Sequence, residues 1–369
     1  MRDYGVQLTT EEEAKIDEIC GKIRARVAKE GITPRERFEK TWRGEPTDRI
    51  PVQVSALGLH AAANYGVMPP DLYTNPKVSI MAYLTHLERF GYDMPSIFRF
   101  SLGEKELGGE IHVAEGTIPT LTRGGIDSAA DIEKVKFPDV YKAGALPWQP
   151  WMIATIKEKL GDIMPVFGFI SIPGSVPPVI TTMDKQFLYF KTNRALSHSI
   201  AAIMARFCFE YASALFEAGA DAVRMVGVDD LISYKTHREF EFPYVCGLAH
   251  AIGKPLYMYG AGDWSHVMES FAQAGVAGYE IPYSTPIDKA REISLKYNRV
   301  LDYGVDSHVL VHGPVAKIHE EVKRVIKEAY VPGLRLVLST EALDFHTPAE
   351  HVTAFVEAAK EYGQLPLKI

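Results

Sequence analysis

Two tyrosines stand two residues apart in a short apolar run, Leu256–Tyr259, which a Gly-rich turn closes at Gly260. Side chains alternate on a strand, so Tyr257 and Tyr259 share one face and the two apolar side chains share the other. A phenol hydroxyl can donate a hydrogen bond or a proton, and its ring can hold an aromatic ligand. In a parallel barrel both phenols would point inward at the end where active sites lie, although tyrosine on a strand is also common core filler.

Carboxylates and histidines follow other apolar runs, at positions that parallel strands would bring together. Asp229 and Asp230 follow VRMVGV, His308 follows LDYGVDS, and Glu341 and His346 follow LRLVLST. At the carboxyl ends of barrel strands, such groups could position a substrate hydroxyl or bind a metal. Glu341 and His346 could form a thiolate-free zinc site with a water, in which the metal would act as a Lewis acid. For each residue the alternative is a helix cap or a solvated side chain.

Arg224 lies inside the apolar run before Asp229, where an unpaired buried guanidinium would be costly. We therefore expect it to pair with an inward acid, and Glu280 and Asp302 are the candidates. His60 follows the first strand and could line a pocket, or could belong to an ordinary surface loop. Aromatic side chains near strand ends could hold an aromatic substrate; they are Phe98, Phe167, Phe169 and Tyr259.

The elements that must position these residues alternate between strand and helix. Strands are predicted at Ile50–Val54, Asp93–Phe98, Met164–Phe169, Ala220–Val226, Leu256–Tyr259, Gly278–Ile281, Arg299–Tyr303 and Leu334–Ser339. Amphipathic helices are predicted at Asn75–Phe90, Leu196–Ala218, Lys235–Ile252, Trp264–Ala274, Pro286–Tyr297, Pro314–Ala329 and Pro348–Tyr362. This alternation predicts an α/β fold, the (β/α)8 TIM barrel, with an open doubly wound sheet as the alternative.

Two further features lie outside this alternation. Before the first strand, residues 10–30 have helical spacing, and Thr33-Pro34-Arg35-Glu36 reads as a capping box that opens a second helix. Residues 1–45 would form an arm over one end of the barrel, and residues 46–369 the barrel domain. Between the second and third strands, Gly108–Gly125 alternates like a hairpin insertion, which we expect over the barrel mouth.

Composition limits the class of protein. The chain has 369 residues, a formal net charge of -7 and 47% hydrophobic residues, so its core is large and its charge does not favour nucleic acid. We find no apolar run of about 18 residues or more to predict a membrane span, and no apolar segment of a signal peptide. Three scattered cysteines are typical of buried thiols in a reducing compartment. We therefore expect a cytoplasmic protein.

Several short motifs, in order along the chain, carry a resemblance to a known family. Arg35-Glu36-Arg37-Phe38, Arg43-Gly44-Glu45-Pro46 and Asp48-Arg49-Ile50-Pro51-Val52 resemble the first-strand segment of the uroporphyrinogen decarboxylase superfamily. Phe90-Gly91-Tyr92-Asp93, Gly219-Ala220-Asp221-Ala222 and His237-Arg238-Glu239-Phe240 resemble later segments of the same superfamily. The resemblance covers nearly the whole chain from Thr33 onward. It implies a TIM barrel and either porphyrinogen decarboxylation or cobamide-dependent methyl transfer.

Departures from the family patterns favour the methyltransferase branch. The decarboxylase branch has an RQAGRY-type segment after the first strand, but here that region reads VSALGLHAAANYGVMPPD and has no arginine. The branch that methylates a thiol binds zinc through a His-x-Cys pair at the fifth strand and a Cys near the eighth. This chain has Tyr257 and Tyr259 at the positions of the pair, and no cysteine follows Cys246. The resemblance therefore does not carry a zinc-thiolate mechanism over to this chain.

The resemblance then implies methyl transfer in the opposite direction, which is O-demethylation. Such relatives take a methyl group from an ether, such as a methoxylated aromatic, and pass it to a Co(I) corrinoid of the cobalamin type on a separate protein. The phenolate that leaves needs a hydrogen bond or a proton, and tyrosine, with a reference pKa of about 10, is matched to a phenol. We therefore assign Tyr257, Tyr259, Asp229 and His308 as catalytic.

The remaining assignments follow from position at the barrel mouth. Substrate binding is assigned to His60, Phe98, Phe167, Phe169, Asp230, Glu280 and Asp302. A metal, if one binds, is assigned to Glu341 and His346. Asp306-Ser307-His308 matches the start of the DxHxxG motif of corrinoid-binding modules, but Val311 replaces its glycine. We therefore expect the corrinoid on a partner protein.

Two other functions stay open at this stage. A lyase that decarboxylates a small carboxylate would work without a corrinoid, and would need a proton relay beside a cation clamp. A barrel without activity that only binds a ligand would account for the missing zinc ligands. The sequence does not specify the methyl donor or the oligomeric state, for which a homodimer is one option.

Overall fold

The structure, a computed structural model, describes residues 2–55, 58–95, 103–174 and 179–368. Within these ranges the strands are β1 (Val52–Gln53), β2 (Glu110–His112), β3 (Thr120–Arg123), β4 (Phe167–Ser171), β5 (Ala222–Gly227), β6 (Leu256–Gly260), β7 (Gly278–Ile281), β8 (Val300–Val305) and β9 (Arg335–Thr340). The helices are α1 (Thr10–Val27), α2 (Pro34–Arg43), α3 (Leu59–Tyr65), α4 (Pro69–Thr74), α5 (Pro76–Phe90), α6 (Trp148–Leu160), α7 (Met183–Thr192), α8 (Arg194–Glu217), α9 (Tyr234–Phe240), α10 (Phe242–Ile252), α11 (Met268–Ala274), α12 (Ile287–Tyr297), α13 (Ser307–His312), α14 (Val315–Ala329) and α15 (Ala349–Tyr362).

The main sheet has seven parallel strands in the order β1-β9-β8-β7-β6-β5-β4. Helices follow the strands, and the sheet curls as in a TIM barrel, which is the predicted α/β class. The predicted strand Asp93–Phe98 differs: residues 92–95 are not in a strand, and residues 96–98 lie outside the described residues. The Asp93 N–H nevertheless donates to the Val52 carbonyl at 2.7 Å, so the chain passes beside β1 where that strand was expected.

Parallel strands need apolar residues on both faces, and the burial of these strands follows that rule. Outward side chains such as Met225 and Met258 are buried beneath the helices. Among the described residues one helix, α8, is long and apolar enough to cross a membrane by length and composition. More than half of its apolar window is buried, and it packs on β4, β5 and α10, as a core helix of a barrel does.

Local signals explain where several helices begin and end. The Thr33 side chain accepts a hydrogen bond from the Glu36 N–H, and the Glu36 side chain accepts one from the Thr33 N–H. The predicted capping box is therefore confirmed. The predicted helix Lys235–Ile252 is interrupted at Glu241, and α10 restarts with Pro243 in its first turn. Proline has no N–H to donate and crowds the preceding turn, which accounts for the break. Helices α3, α4, α6, α7 and α13 were not predicted from the sequence.

The second N-terminal helix closes the lower end of the barrel. Phe38 of α2 packs edge-on against Phe167 at 5.2 Å between ring centroids, and Trp42 packs against Tyr257 at 5.2 Å. The two pairs also contact each other, because the ring centroids of Phe167 and Tyr257 lie 6.0 Å apart. We call these four residues the aromatic plug. Because they fill the amino ends of β4 and β6, the open end of the barrel is the opposite one.

A buried ion cluster joins the family motifs. Arg37 donates to Asp93 at 2.7 Å and to Asp48 at 2.8 Å, and Arg49 donates to Asp93 at 2.5 Å. Glu30 accepts from both guanidinium groups. Three motifs that are separate in sequence therefore meet at one point, where they fix α2, β1 and the end of α5 together.

The segment after α5 contains an antiparallel pair of strands. β2 pairs with β3, with Ile111 opposite Leu121 and an irregular register beside Glu110. Downstream of the pair, the Ile126 N–H donates to the Ile180 carbonyl at 2.9 Å, which ties this segment to the loop before α7. Its place over the barrel mouth stays a prediction.

Candidate active site in the barrel interior

Inward side chains divide the barrel interior into layers above the aromatic plug. The register of the sheet sets Tyr259 beside Glu280 and Glu280 beside Asp302 on β6, β7 and β8. Because alternate residues of a strand face the same way, these three side chains share the inward face and one level. Arg224 of β5 pairs in register with Tyr257, and its long side chain extends to the level of the two acids.

A charged layer of Arg224, Glu280, Asp302 and Gln53 crosses the barrel. The guanidinium of Arg224 forms an ion pair with Glu280 and a hydrogen bond with Gln53, and its Nη2 lies 3.8 Å from Asp302 Oδ2. The predicted pairing of Arg224 with inward acids is therefore confirmed. One guanidinium faces two carboxylates, and burial together with the neighbouring Glu280 raises the pKa of Asp302 well above its usual range.

Tyr259 lies at the level of Glu280 and Asp302 and reaches across the interior. Its hydroxyl lies 3.5 Å from the Ser55 Oγ beyond β1, and its ring packs edge-on against Phe169 at 5.5 Å. Burial and the nearby Glu280 raise the pKa of Tyr259 above the usual value of a phenol. The hydroxyl therefore keeps its proton at neutral pH and can act as a hydrogen-bond donor. The Tyr259 residue as a whole is partly exposed, whereas Tyr257 is not.

Two half-buried carboxylates stand at the rim. Burial raises the pKa of Glu341, and Asp306 adds to the effect while a hydrogen bond with Ser307 opposes it. Burial also raises the pKa of Asp230, which lies against Gly262 of the loop after β6. A side chain at Gly262 would overlap the Asp230 carboxylate, so glycine is required for the two loops to approach.

Two aromatic site predictions need correction. We expected Tyr257 at the mouth, but it lies in the aromatic plug, 1% exposed, and its hydroxyl has no hydrogen-bond partner among the described residues. Phe167 lies in the same plug rather than in a substrate pocket. The cause is the rise along a strand of about 3.3 Å per residue, which sets side chains two residues apart in different layers. Phe98 lies outside the described residues.

Asp229 also differs from its predicted place. Its carboxylate is fully buried and accepts from His237 Nδ1 at 2.9 Å, away from the mouth. The 3-10 turn Asp229–Leu231 separates it from Asp230, so the two acids face different surroundings. The predicted pair of mouth carboxylates is therefore wrong for Asp229.

The candidate histidines do not converge on the charged layer. His60 is buried, with Nδ1 2.8 Å from His86 Nε2 and Nε2 3.1 Å from the Thr347 carbonyl, so neither a pocket lining nor a surface loop describes it. His308 and His346 are exposed, and each backbone N–H donates to the aspartate two residues before it. Among the described residues no three His, Cys, Asp or Glu side chains form a group that could hold a metal.

Sequence reasoning missed some residues of the site. Gln53 lies in β1 and Ser55 follows it. No motif marks either residue, and only the curl of the sheet sets them opposite Arg224 and Tyr259. His237 was part of a family-like motif without an assigned role, and its buried partner Ser270 had no local signal.

The loops that follow β5 to β9 carry acids and no lysine or arginine. Segments 226–230, 260–263, 281–285, 305–308 and 340–346 contain no lysine or arginine. Their six acids are Asp229, Asp230, Asp263, Asp306, Glu341 and Asp344. Such a rim favours a neutral or cationic ligand over a polycarboxylate.

Comparisons with known proteins agree with this architecture. Residues 33–362 match the family model described as uroporphyrinogen decarboxylase (URO-D). The uroporphyrinogen decarboxylase of Hydrogenovibrio crunogenus is 25% identical over 355 residues, covering 88% of this chain and 96% of that protein. The methylcobamide:CoM methyltransferase MtaA of Methanosarcina barkeri (strain Fusaro) is 22% identical over 343 residues, covering 90% and 98%. A solved methyltransferase from Methanosarcina mazei superimposes with a TM-score of 0.79 at 22% identity, covering 90% and 99%, and shows a shared fold.

Proposed function

The chain belongs to the uroporphyrinogen decarboxylase family, and we propose that it is a methyltransferase of that family that removes a methyl group from a methoxylated aromatic substrate. The acceptor in this proposal is the Co(I) corrinoid of a partner protein. Relatives of the chain include both decarboxylases and a methylcobamide methyltransferase. The choice between these two reactions therefore rests on the residues of the site.

The observation that carries the proposal is the lack of lysine and arginine in the loops that follow β5 to β9. A porphyrinogen carries many carboxylates, and each would need a cation or hydrogen-bond donors on burial. The described rim segments have no lysine or arginine, and inside the barrel Arg224 is already bound to Glu280 and Gln53. An uncharged aromatic ether has no carboxylate and needs no cation in the site.

Tyr259 fits the aromatic part of such a substrate. Its ring is partly exposed and can pack against a substrate ring, while the buried ring of Phe169 supports it edge-on. The Tyr259 hydroxyl can donate to the ether oxygen, and this hydrogen bond strengthens as that oxygen gains negative charge on loss of the methyl group. Because the pKa of Tyr259 is raised, we assign it hydrogen-bond donation rather than complete proton transfer.

The corrinoid would supply the cobalt nucleophile, and the described residues support its assignment to a partner. Asp306 begins α13, and its carboxylate accepts from the His308 N–H at 2.8 Å. The triplet that matches the corrinoid motif is thus used as a helix start. Two phenols stand where thiol-methylating relatives have zinc ligands, so we assign no step to zinc.

The test is anaerobic and spectroscopic. Mixing the protein with a Co(I) corrinoid protein and a panel of methoxylated aromatics should give methyl-Co(III) with at least one donor. Tyr259→Phe should lower kcat by about 100- to 1000-fold, as loss of one donor to a developing oxyanion does. Tyr257→Phe is the matched control, and its kcat should stay within a factor of two or three.

Two outcomes would reject the proposal. Equal rates for both tyrosine variants would remove Tyr259 from the reaction. Release of CO2 from a small carboxylate without any cobalt chemistry would favour the lyase, a candidate that the 25% identical decarboxylase supports.

A further inference from the structure

A line of buried hydrogen bonds lies beneath the loops that follow β5 and β6. Arg238 Nη1 donates to Ser270 Oγ at 3.1 Å, and Ser270 Oγ lies 2.8 Å from His237 Nε2. His237 Nδ1 lies 2.9 Å from Asp229 Oδ1. One arrangement of protons satisfies every contact: Ser270 donates to His237, and His237 donates to Asp229.

The residue types are those of a hydrolytic triad, but the surroundings exclude that chemistry. Ser270, His237 and Asp229 are 2%, 0% and 0% exposed. The ring of Phe271 packs on His237 at 4.6 Å between centroids and on Trp264 at 5.5 Å. Because no substrate can reach Ser270, these hydrogen bonds can affect a reaction only by positioning other residues.

The hydrogen bonds fix the turn that contains Asp230. Asp229 is the first residue of the turn Asp229–Leu231, so its bond to His237 fixes the start of the turn. At the other end, His266 Nε2 lies 2.9 Å from the Ile232 carbonyl. Asp230 lies between these two anchors, partly exposed at the rim, with its carboxylate against Gly262.

We propose that Asp229, His237 and Ser270 form a positioning network for Asp230, and that Asp230 accepts a hydrogen bond from a free hydroxyl group of the substrate. The preferred methyl donor is then a methoxyphenol rather than a ring with methoxyl groups alone. This inference rests on the proposed function. A carboxylate that is held in place, with acids and no cation on the loops around it, selects a hydroxyl donor and repels an anion.

The experiment compares a methoxyphenol with the methoxybenzene that lacks its hydroxyl group. Asp230→Asn should raise KM for the methoxyphenol at least 10-fold and leave the methoxybenzene within about 2-fold. His237→Gln should show the same selectivity, and the double variant should be no worse than Asp230→Asn, because both act through one carboxylate. Ser270→Ala removes only the Ser270 hydroxyl from these hydrogen bonds. It replaces His237→Gln in the experiment if that variant fails to fold.

Equal losses for both donors, or additive effects in the double variant, would overturn the inference and leave the line a structural feature. Calorimetric binding of the methoxyphenol without corrinoid separates this result from failure of the proposed function. Weaker binding by both single variants, without any methyl transfer, would keep the positioning role and reject the methyltransferase. Equal binding by wild type and variants, or no binding by wild type, would overturn the positioning role itself.

Discussion

At the scale of the residue, the two tyrosines of β6 show how one strand position changes a role. Tyr257 and Tyr259 both face the barrel interior, but the first packs on Trp42 and the second on Phe169. A step of two residues moves a side chain about 6.6 Å along a strand, which here separates the plug from the mouth. The same residue type therefore fills the core in one layer and offers a hydrogen bond in the other.

Tyr257→Phe should leave the free energy of unfolding unchanged or raise it by about 1 kcal/mol. A buried hydroxyl without a partner costs about 1–3 kcal/mol of desolvation, and phenylalanine keeps the packing. Urea unfolding of the variant and the wild type measures the difference. A loss of more than about 1 kcal/mol would show that the hydroxyl has a partner in solution, such as a bound water.

Gly260→Ala should destabilise the fold. A Cβ at Gly260 would overlap the indole of Trp264, which is fully buried and cannot turn away. Overpacking of this kind costs about 1–3 kcal/mol. Gly247→Ala is the control: a Cβ there meets nothing within 4 Å, and alanine in α10 should add about 0.5–1 kcal/mol. Thermal unfolding of both variants tests the pair, and equal melting temperatures would contradict the overlap.

At the scale of the element, the ion cluster at the amino end of the barrel accounts for the family motifs. Asp93 accepts from Arg37, from Arg49 and from the Val52 N–H at 2.8 Å, so one carboxylate joins α2, β1 and the end of α5. Burial works against its charge, but Arg49 and Arg37 lower the pKa of Asp93 to about 2. The three motifs that contain Arg37, Arg49 and Asp93 thus specify how these elements join.

Asp93→Asn should destabilise the protein by about 3–5 kcal/mol, because it leaves two buried guanidinium groups without their shared carboxylate. In the wild type this contribution is present above the unfolded pKa of about 3.9 and is lost as the pH falls toward 2. Glu18→Gln, which removes an exposed pair with Lys22, should cost less than about 0.5 kcal/mol. Denaturant unfolding at pH 7 measures both, and similar small losses would contradict the role of Asp93.

At the scale of the whole molecule, the loops after β1 and β9 are tied together by a buried pair of histidines. His60 reaches the Thr347 carbonyl on one side and His86 on the other, and His86 Nδ1 lies 3.1 Å from the Tyr92 hydroxyl. Burial lowers the pKa of His60 to about 4 and lowers the pKa of His86 as well. The folded barrel therefore holds both rings neutral.

Stability should consequently fall on mild acidification. Folded pKa values below the unfolded value of about 6.5 mean that the unfolded chain binds protons first, so the contribution is complete above pH 6.5 and is lost as the pH falls toward 4. The loss is up to about 1.4 kcal/mol per pH unit for each histidine. Urea unfolding at several pH values between 7.5 and 4.5 should show this slope, and His60→Gln should reduce it. An unchanged slope in His60→Gln would mean that other groups cause it.

The alternation of strands and helices, the capping box at Thr33 and the pairing of Arg224 with inward acids could be predicted from the sequence. These features depend on local periodicity, or on the cost of burying a charge, which neighbouring residues already set. The curl of the sheet is a different matter, because it brings together residues that are hundreds of positions apart. It alone sets Ser55 opposite Tyr259, assigns Tyr257 to the plug, and turns Asp229 toward His237 and away from the mouth. A pattern along one strand shows which face a side chain shares, but depth in the barrel depends on the stagger of all the strands.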